Sequence, residues 1–140
     1  MNIYFAASVT GGRDDAELYQ KFIAHLKQHG TVLTDFIGDP SVTTKAGTGP
    51  IAETVEQLTG LLKKVDVMIA EVTTPSLGVG YEIRDVIASG KPILCLYRPQ
   101  PDRRLSALIA GNKDIVVKQY RTSYEAELYI DAFLNSLKKA

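Results

Sequence analysis

The chain has 140 residues, 45% of them hydrophobic and 23% charged, and its 16 basic residues are balanced by 16 acidic ones. That is room for one well-buried domain over residues 1–140 but not for two ordinary ones, and the cancelled charge gives no overall pull toward nucleic acid or an anionic membrane. No apolar run approaches the roughly 20 residues that span a bilayer and the first residues lack the pattern of a signal peptide, so a cytoplasmic, soluble protein is expected.

The first predicted strand covers residues 2–7 and runs into Ser8-Val9-Thr10-Gly11-Gly12-Arg13. Asp14 and Asp15 start a helix with Leu18, Phe22, Ile23 and Leu26 on one face and Gly30 at its end. His25 and His29 lie on this helix, where a solvated face or a contact with the helix C-terminal dipole is expected. A second strand covers 31–34, followed by a long loop, 36–50, rich in Gly, Pro, Thr and Asp. Loops of that length are often lids or disordered. The second helix, 51–64, carries Val55, Leu58, Leu61 and Leu62 as its apolar stripe. The strongest strand candidate, 66–72, leads into Thr73-Thr74-Pro75-Ser76-Leu77-Gly78-Val79-Gly80-Tyr81-Glu82 and a helix over 78–89, closed by Gly90. A fourth strand at 92–97 encloses Cys95, which reads as a buried core thiol. A short helix at 104–110, a fifth strand at 115–118 and a final helix at 123–138 complete the chain.

Strands this continuously apolar, alternating with helices, imply a doubly wound α/β domain with a parallel sheet in the order 2-1-3-4-5. In that order the ligand crevice lies where the winding reverses, at the carboxyl ends of strands one and three. The 7–13 loop and the 73–82 turn meet there. Both offer hydroxyls and glycines, and the second ends in a helix start, so a phosphate-bearing small molecule is expected. The plainer reading of each is an ordinary turn beside a helix cap. Neither loop fits the dinucleotide fingerprint, and no P-loop lysine motif or metal-ligand spacing is present. No metal or organic cofactor is expected. Glu82, about one turn into its helix, should be kept ionised by the helix's positive end. A carboxylate beside a bound sugar is a natural nucleophile for glycosidic bond cleavage.

The segments 3–8, 11–13, 70–73, 75–82, 90–96 and 98–100 together resemble the 2'-deoxynucleoside 5'-monophosphate N-glycosidases, in the nucleoside 2-deoxyribosyltransferase superfamily. The resemblance runs from residue 2 to about residue 120. It implies a flavodoxin-like fold, a homodimer, and hydrolysis of a deoxynucleotide to free base and 2-deoxyribose 5-phosphate through a covalent intermediate on Glu82. It further implies that Tyr4 contacts the sugar and orients Glu82, and that Ser8, Ser76 and Gly78 hold the phosphate. Ser106, with Ala107 and Leu108, would reach the phosphate of the neighbouring subunit's site. Tyr19 and the loop of Ala7, Val9, Thr10, Gly11, Gly12 and Arg13 would fall in the substrate-contact region.

The chain departs from the family pattern at three places. Leu58 stands where the family has an aspartate that helps move the proton, and none of Thr54, Val55, Leu61 or Leu62 on the same helix face is a carboxylate. Thr10 replaces a loop arginine, and Phe36 a histidine. Three readings follow: hydrolysis with leaving-group help from Asp35 or Asp39, action on a different base or sugar or as a transferase, or nucleotide binding without turnover. A flavin carrier is a further alternative, weakened because no aromatic precedes Tyr81 in the turn after strand three.

Overall fold

The computed structural model describes residues 1–8, 15–38 and 51–139. Five strands, β1 (Asn2–Ala6), β2 (Thr31–Val32), β3 (Val67–Glu71), β4 (Ile93–Tyr97) and β5 (Val116–Gln119), form one sheet in the expected order 2-1-3-4-5. Every pairing is parallel. Among the described residues the helices are α1 (Ala16–Leu26), α2 (Ile51–Leu62), α3 (Leu77–Ala88), α4 (Ala107–Ala110) and α5 (Ser123–Lys138), with a 3-10 turn at Asp35–Gly38.

Side chains alternate across the strands, which divides the core in two. Ile3, Phe5, Ile69, Leu94 and Leu96 pack under α1 and α5 with Phe22, Leu26, Ile130 and Leu134. Tyr4, Ala6, Met68, Ala70 and Cys95 face the other way, against α2 and α3 with Leu62, Val79, Ile83 and Val86. Both faces of β3 and β4 are therefore covered, which is why those strands read as unbroken apolar runs.

Several boundaries differ from the sequence expectation for local reasons. β2 stops at Val32 because the Thr34 hydroxyl accepts from Phe5 N (2.9 Å) and donates to Phe5 O (2.6 Å), taking the place of the next strand residue. Asp15 precedes α1 without capping it, since its carboxylate is held by Arg98 (3.0 and 3.1 Å). α4 is shorter than expected and starts after Ser106, whose Oγ accepts from Leu108 N. The stripe on α2 is only partly covered, with Leu62 buried and Val55 54% exposed. β5 is an edge strand whose residues are mostly exposed. Gly90 turns α3 into β4 at φ +70°, a conformation that favours glycine. At Gly30 a Cβ would lie 2.3 Å from the Met1 carbonyl oxygen, so only glycine lets β2 come alongside β1 there.

Candidate active site

Because Tyr4 points to the α2–α3 side of the sheet, its hydroxyl reaches across to donate to Glu82 Oε2. The structure thus brings together the two residues expected to act at the sugar. α3 starts at Leu77, one residue earlier than expected, so Glu82 lies beyond its first turn. The dipole effect falls off within that turn. The expectation of a firmly ionised Glu82 is corrected accordingly: burial pushes its carboxyl up to about 7. Near neutral pH the group exchanges between carboxylate and acid.

Ser76 caps α3, its Oγ accepting from Val79 N at 3.3 Å. Gly80 N donates to Ser76 O, which leaves the N–H groups of Leu77 and Gly78 without an intrahelical acceptor. A helix start of this kind favours an anion. Ser8 lies just past the end of β1, 2% exposed, and its Oγ finds no hydrogen-bond partner among the described residues. A buried hydroxyl left unpaired costs about 1–3 kcal/mol, and an oxygen-rich ligand at this crevice would relieve it. Val9, Thr10, Gly11, Gly12 and Arg13, and Asp39 with the rest of the 39–50 loop, lie outside the described residues.

The remaining expected residues are more dispersed. A cavity of about 940 Å³ lies between α3 and α4, lined by Ser76, Leu77, Ile83, Ile87, Arg104, Ser106 and Leu108 among others. Ser106 and Ser76 therefore share a wall of one cavity, while Ala107 is exposed beside it. Glu82 is not on that wall, since α3 turns Gly80, Ile83, Arg84 and Ile87 toward the cavity and Glu82 toward Tyr4. Ala7 is buried at the end of β1 and belongs to the core. Tyr19, expected to meet substrate, is a core residue with its ring edge-on to Phe5 at 5.9 Å. Phe36 is half-buried in the 3-10 turn, and Leu58 is half-buried on α2. Asp35 is exposed and pairs with Lys27 at 3.4 Å. Cys95 is buried, its thiol pushed up to about 12 by burial and by Glu71.

Sequence reasoning gave no role to a second carboxylate at the same end of the sheet. Glu71, the last residue of β3, is buried and accepts from Thr73 N (2.7 Å), Thr73 Oγ1 (2.9 Å) and the Tyr120 hydroxyl. Arg98 joins this group, donating through one nitrogen to Tyr120 Oη (3.2 Å) and through the other to both carboxylate oxygens of Asp15. Arg98 N also donates to Thr73 Oγ1 at 3.0 Å. The network ties α1, β3, β4 and the end of β5 to the turn that carries Ser76. The one signal for it in the sequence is a glutamate closing an otherwise apolar strand.

Comparison with known proteins bears on this arrangement. The family model described as nucleoside 2-deoxyribosyltransferase matches residues 3–121. A Rattus norvegicus 5-hydroxymethyl-dUMP N-hydrolase is 44% identical over 115 residues, covering 81% of this chain and 71% of that protein. A Tetraodon nigroviridis 5-hydroxymethyl-dUMP N-hydrolase is 40% identical over 148 residues, covering 99% of this chain and 100% of the relative. Among solved structures, a Clostridium botulinum CMP N-glycosidase superposes with a TM-score of 0.70 at 18% identity, covering 95% of this chain and 99% of the other, a likeness of fold.

Proposed function

The chain belongs to the nucleoside 2-deoxyribosyltransferase family, and from that premise we propose that it is an N-glycosidase hydrolysing 2'-deoxynucleoside 5'-monophosphates to free base and 2-deoxyribose 5-phosphate. The observation that carries the reading is the Tyr4–Glu82 pair set beside the uncapped N–H groups at the start of α3. The relatives' names supply the substrate class.

In this reaction the phosphate rests on Ser8, Ser76 and the N–H groups of Leu77 and Gly78. The Glu82 carboxylate attacks C1', the N-glycosidic bond breaks, and its electron pair leaves on the base nitrogen, which takes up a proton. Water then attacks C1' and gives up a proton to solvent, the bond to Glu82 oxygen breaks, and the carboxylate is restored. Tyr4 holds Oε2 and so leaves the other oxygen to attack. Leu58 cannot supply the leaving-group proton, so the base draws it from elsewhere, and general-acid help of that kind is worth about 10²–10⁴-fold. The reaction therefore runs slowly.

The same reading makes the protein a cytoplasmic homodimer. Leu77 is 96% and Leu108 83% exposed on the α3–α4 cavity, and a second copy seated there would cover both. Ser106 would then reach the partner's phosphate site. Light scattering that finds a monomer at micromolar concentration would remove this part alone. The reaction itself is tested by incubating the protein with the deoxynucleoside 5'-monophosphates, 5-hydroxymethyl-dUMP among them, and following free base by chromatography. Release from at least one is expected. Nucleotide binding without release from any would make the protein a nucleotide-binding module.

A further inference from the structure

The solvated face expected for His25 and His29 is not what the structure shows, although His25 does lie in the last turn of α1. Both imidazoles are largely buried, 16% and 10% exposed, between α1 and α5. Their Nε2 atoms converge on a single oxygen, Asp131 Oδ1, at 2.6 and 2.7 Å. The rings lie 5.9 Å apart and are tilted 57° to each other. The sequence showed no metal-ligand spacing because the third member comes from a helix about a hundred residues away, as the separations of 106 and 102 record.

We propose that His25, His29 and Asp131 form a binding site for a divalent transition metal, zinc first among them. Three donor atoms within 4.8 Å of one another make up the set. Zinc takes imidazole nitrogen at about 2.0–2.1 Å and carboxylate oxygen at about 2.0–2.2 Å. A tetrahedral ion would thus set its ligands about 3.3 Å apart, which lengthens the two N···O contacts of 2.6 and 2.7 Å by side-chain rotation. Two nitrogens and one oxygen suit zinc, cobalt, nickel or copper, whereas magnesium and calcium call for oxygen alone. Asp131 is 38% exposed, which opens the fourth position to water.

Without metal, both ring nitrogens must carry hydrogen to satisfy one carboxylate oxygen, and the two compete for it. A cation replaces those two hydrogens with two bonds. Lys138 opposes this, since its Nζ lies 3.2 Å from His29 Nδ1. Ligation through Nε2 leaves the hydrogen of a neutral ring on Nδ1, so the lysine must turn away into solvent from the exposed last turn of α5. The site lies where the C-terminal end of α1 meets the C-terminal half of α5, toward the amino edge of the sheet and away from the Tyr4–Glu82 crevice. Metal here would fasten the last helix to the first and leave the reaction unchanged.

The test uses the full chain with any affinity tag removed and metal stripped by chelator. Cobalt(II) titration at pH 7.5 should give the visible band of tetrahedral cobalt, bleached by one equivalent of zinc. Zinc at 100-fold over its Kd should raise Tm by about 5–10 °C. H29Q and D131N should each weaken binding by at least 10-fold, and K138A should tighten it. No cobalt band and no zinc-dependent Tm shift in the wild-type chain would overturn the proposal, as would a band retained in the H25Q/H29Q double variant. In either case the cluster is an ion-pair clamp between the two helices.

Discussion

Two tyrosine–glutamate pairs stand at the carboxyl edge of the same sheet, and they have opposite characters. In each, a tyrosine hydroxyl donates to a glutamate Oε2. In each, burial raises the carboxyl pKa. Glu71, however, also accepts two hydrogen bonds from Thr73 and lies near Arg98, so both its oxygens are engaged. Glu82 has Tyr4 as its hydrogen-bond partner among the described residues, and acceptor capacity remains. A buried carboxylate with both oxygens engaged holds loops in place. One held by a single donor at a crevice is available to react.

Glutamine substitution should separate the pairs most sharply. E82Q removes the nucleophile, and base release should fall at least ~10³-fold with the fold intact. E71Q puts an amide donor among groups that already donate. It should destabilise the protein by roughly 2–4 kcal/mol, seen as an earlier denaturant midpoint, with activity falling only as the Ser76 turn loosens. Equal losses of activity with no change in stability would make both glutamates part of the chemistry and dissolve the distinction.

Removing the tyrosine hydroxyls is the milder form of the same test. Y4F should lower kcat about 10–100-fold and move the rising limb of the pH–rate profile upward, because the lost hydrogen bond favoured the charged carboxylate. In the wild type that limb should rise through about 7, where Glu82 ionises. Y120F should cost about 1–3 kcal/mol of stability and leave the profile where it was. S8A should raise KM by about 10-fold and leave stability unchanged or slightly improved, since the hydroxyl has no described partner to lose.

The difference between the pairs also explains what could be read from the chain. Parallel topology was legible because β3 and β4, covered on both faces, had to be apolar throughout. Glu82 was legible because a hydroxyl-bearing turn, two glycines and a carboxylate near a helix start form a local pattern. Its protonation was not, since that depends on how far burial outweighs a dipole that fades after one turn. Glu71, Tyr120, Arg98 and Asp15 meet only after four separate crossings of the sheet. Asp131 is similarly remote from His25 and His29, so no spacing rule could have joined them. The burial of Tyr19 was not legible, because an aromatic beside a loop looks the same in sequence whether it lines a site or packs on Phe5.

The smallest effect is a stability difference that grows with pH. Glu82 has its carboxyl raised from 4.5 to about 7 in the folded chain. Between those values the folded protein holds a proton that the unfolded chain has released, so stability falls as pH rises through that window. Below 4.5 both states are protonated and the contribution is fully present; above about 7 it is lost. Glutamine cannot ionise, so E82Q escapes the loss. Its stability relative to wild type should increase across the window and level off above it, at about 2 kcal/mol once solvent screening is allowed for. Denaturant titrations of the two proteins at pH 4.5, 6 and 8 would measure it, and the raised Glu71 carboxyl, common to both, cancels in the difference. A flat difference would mean that water already reaches Glu82 in the free protein. The nucleophile would then be ionised well below neutrality, and the rising limb of the pH–rate profile would have to belong to another group.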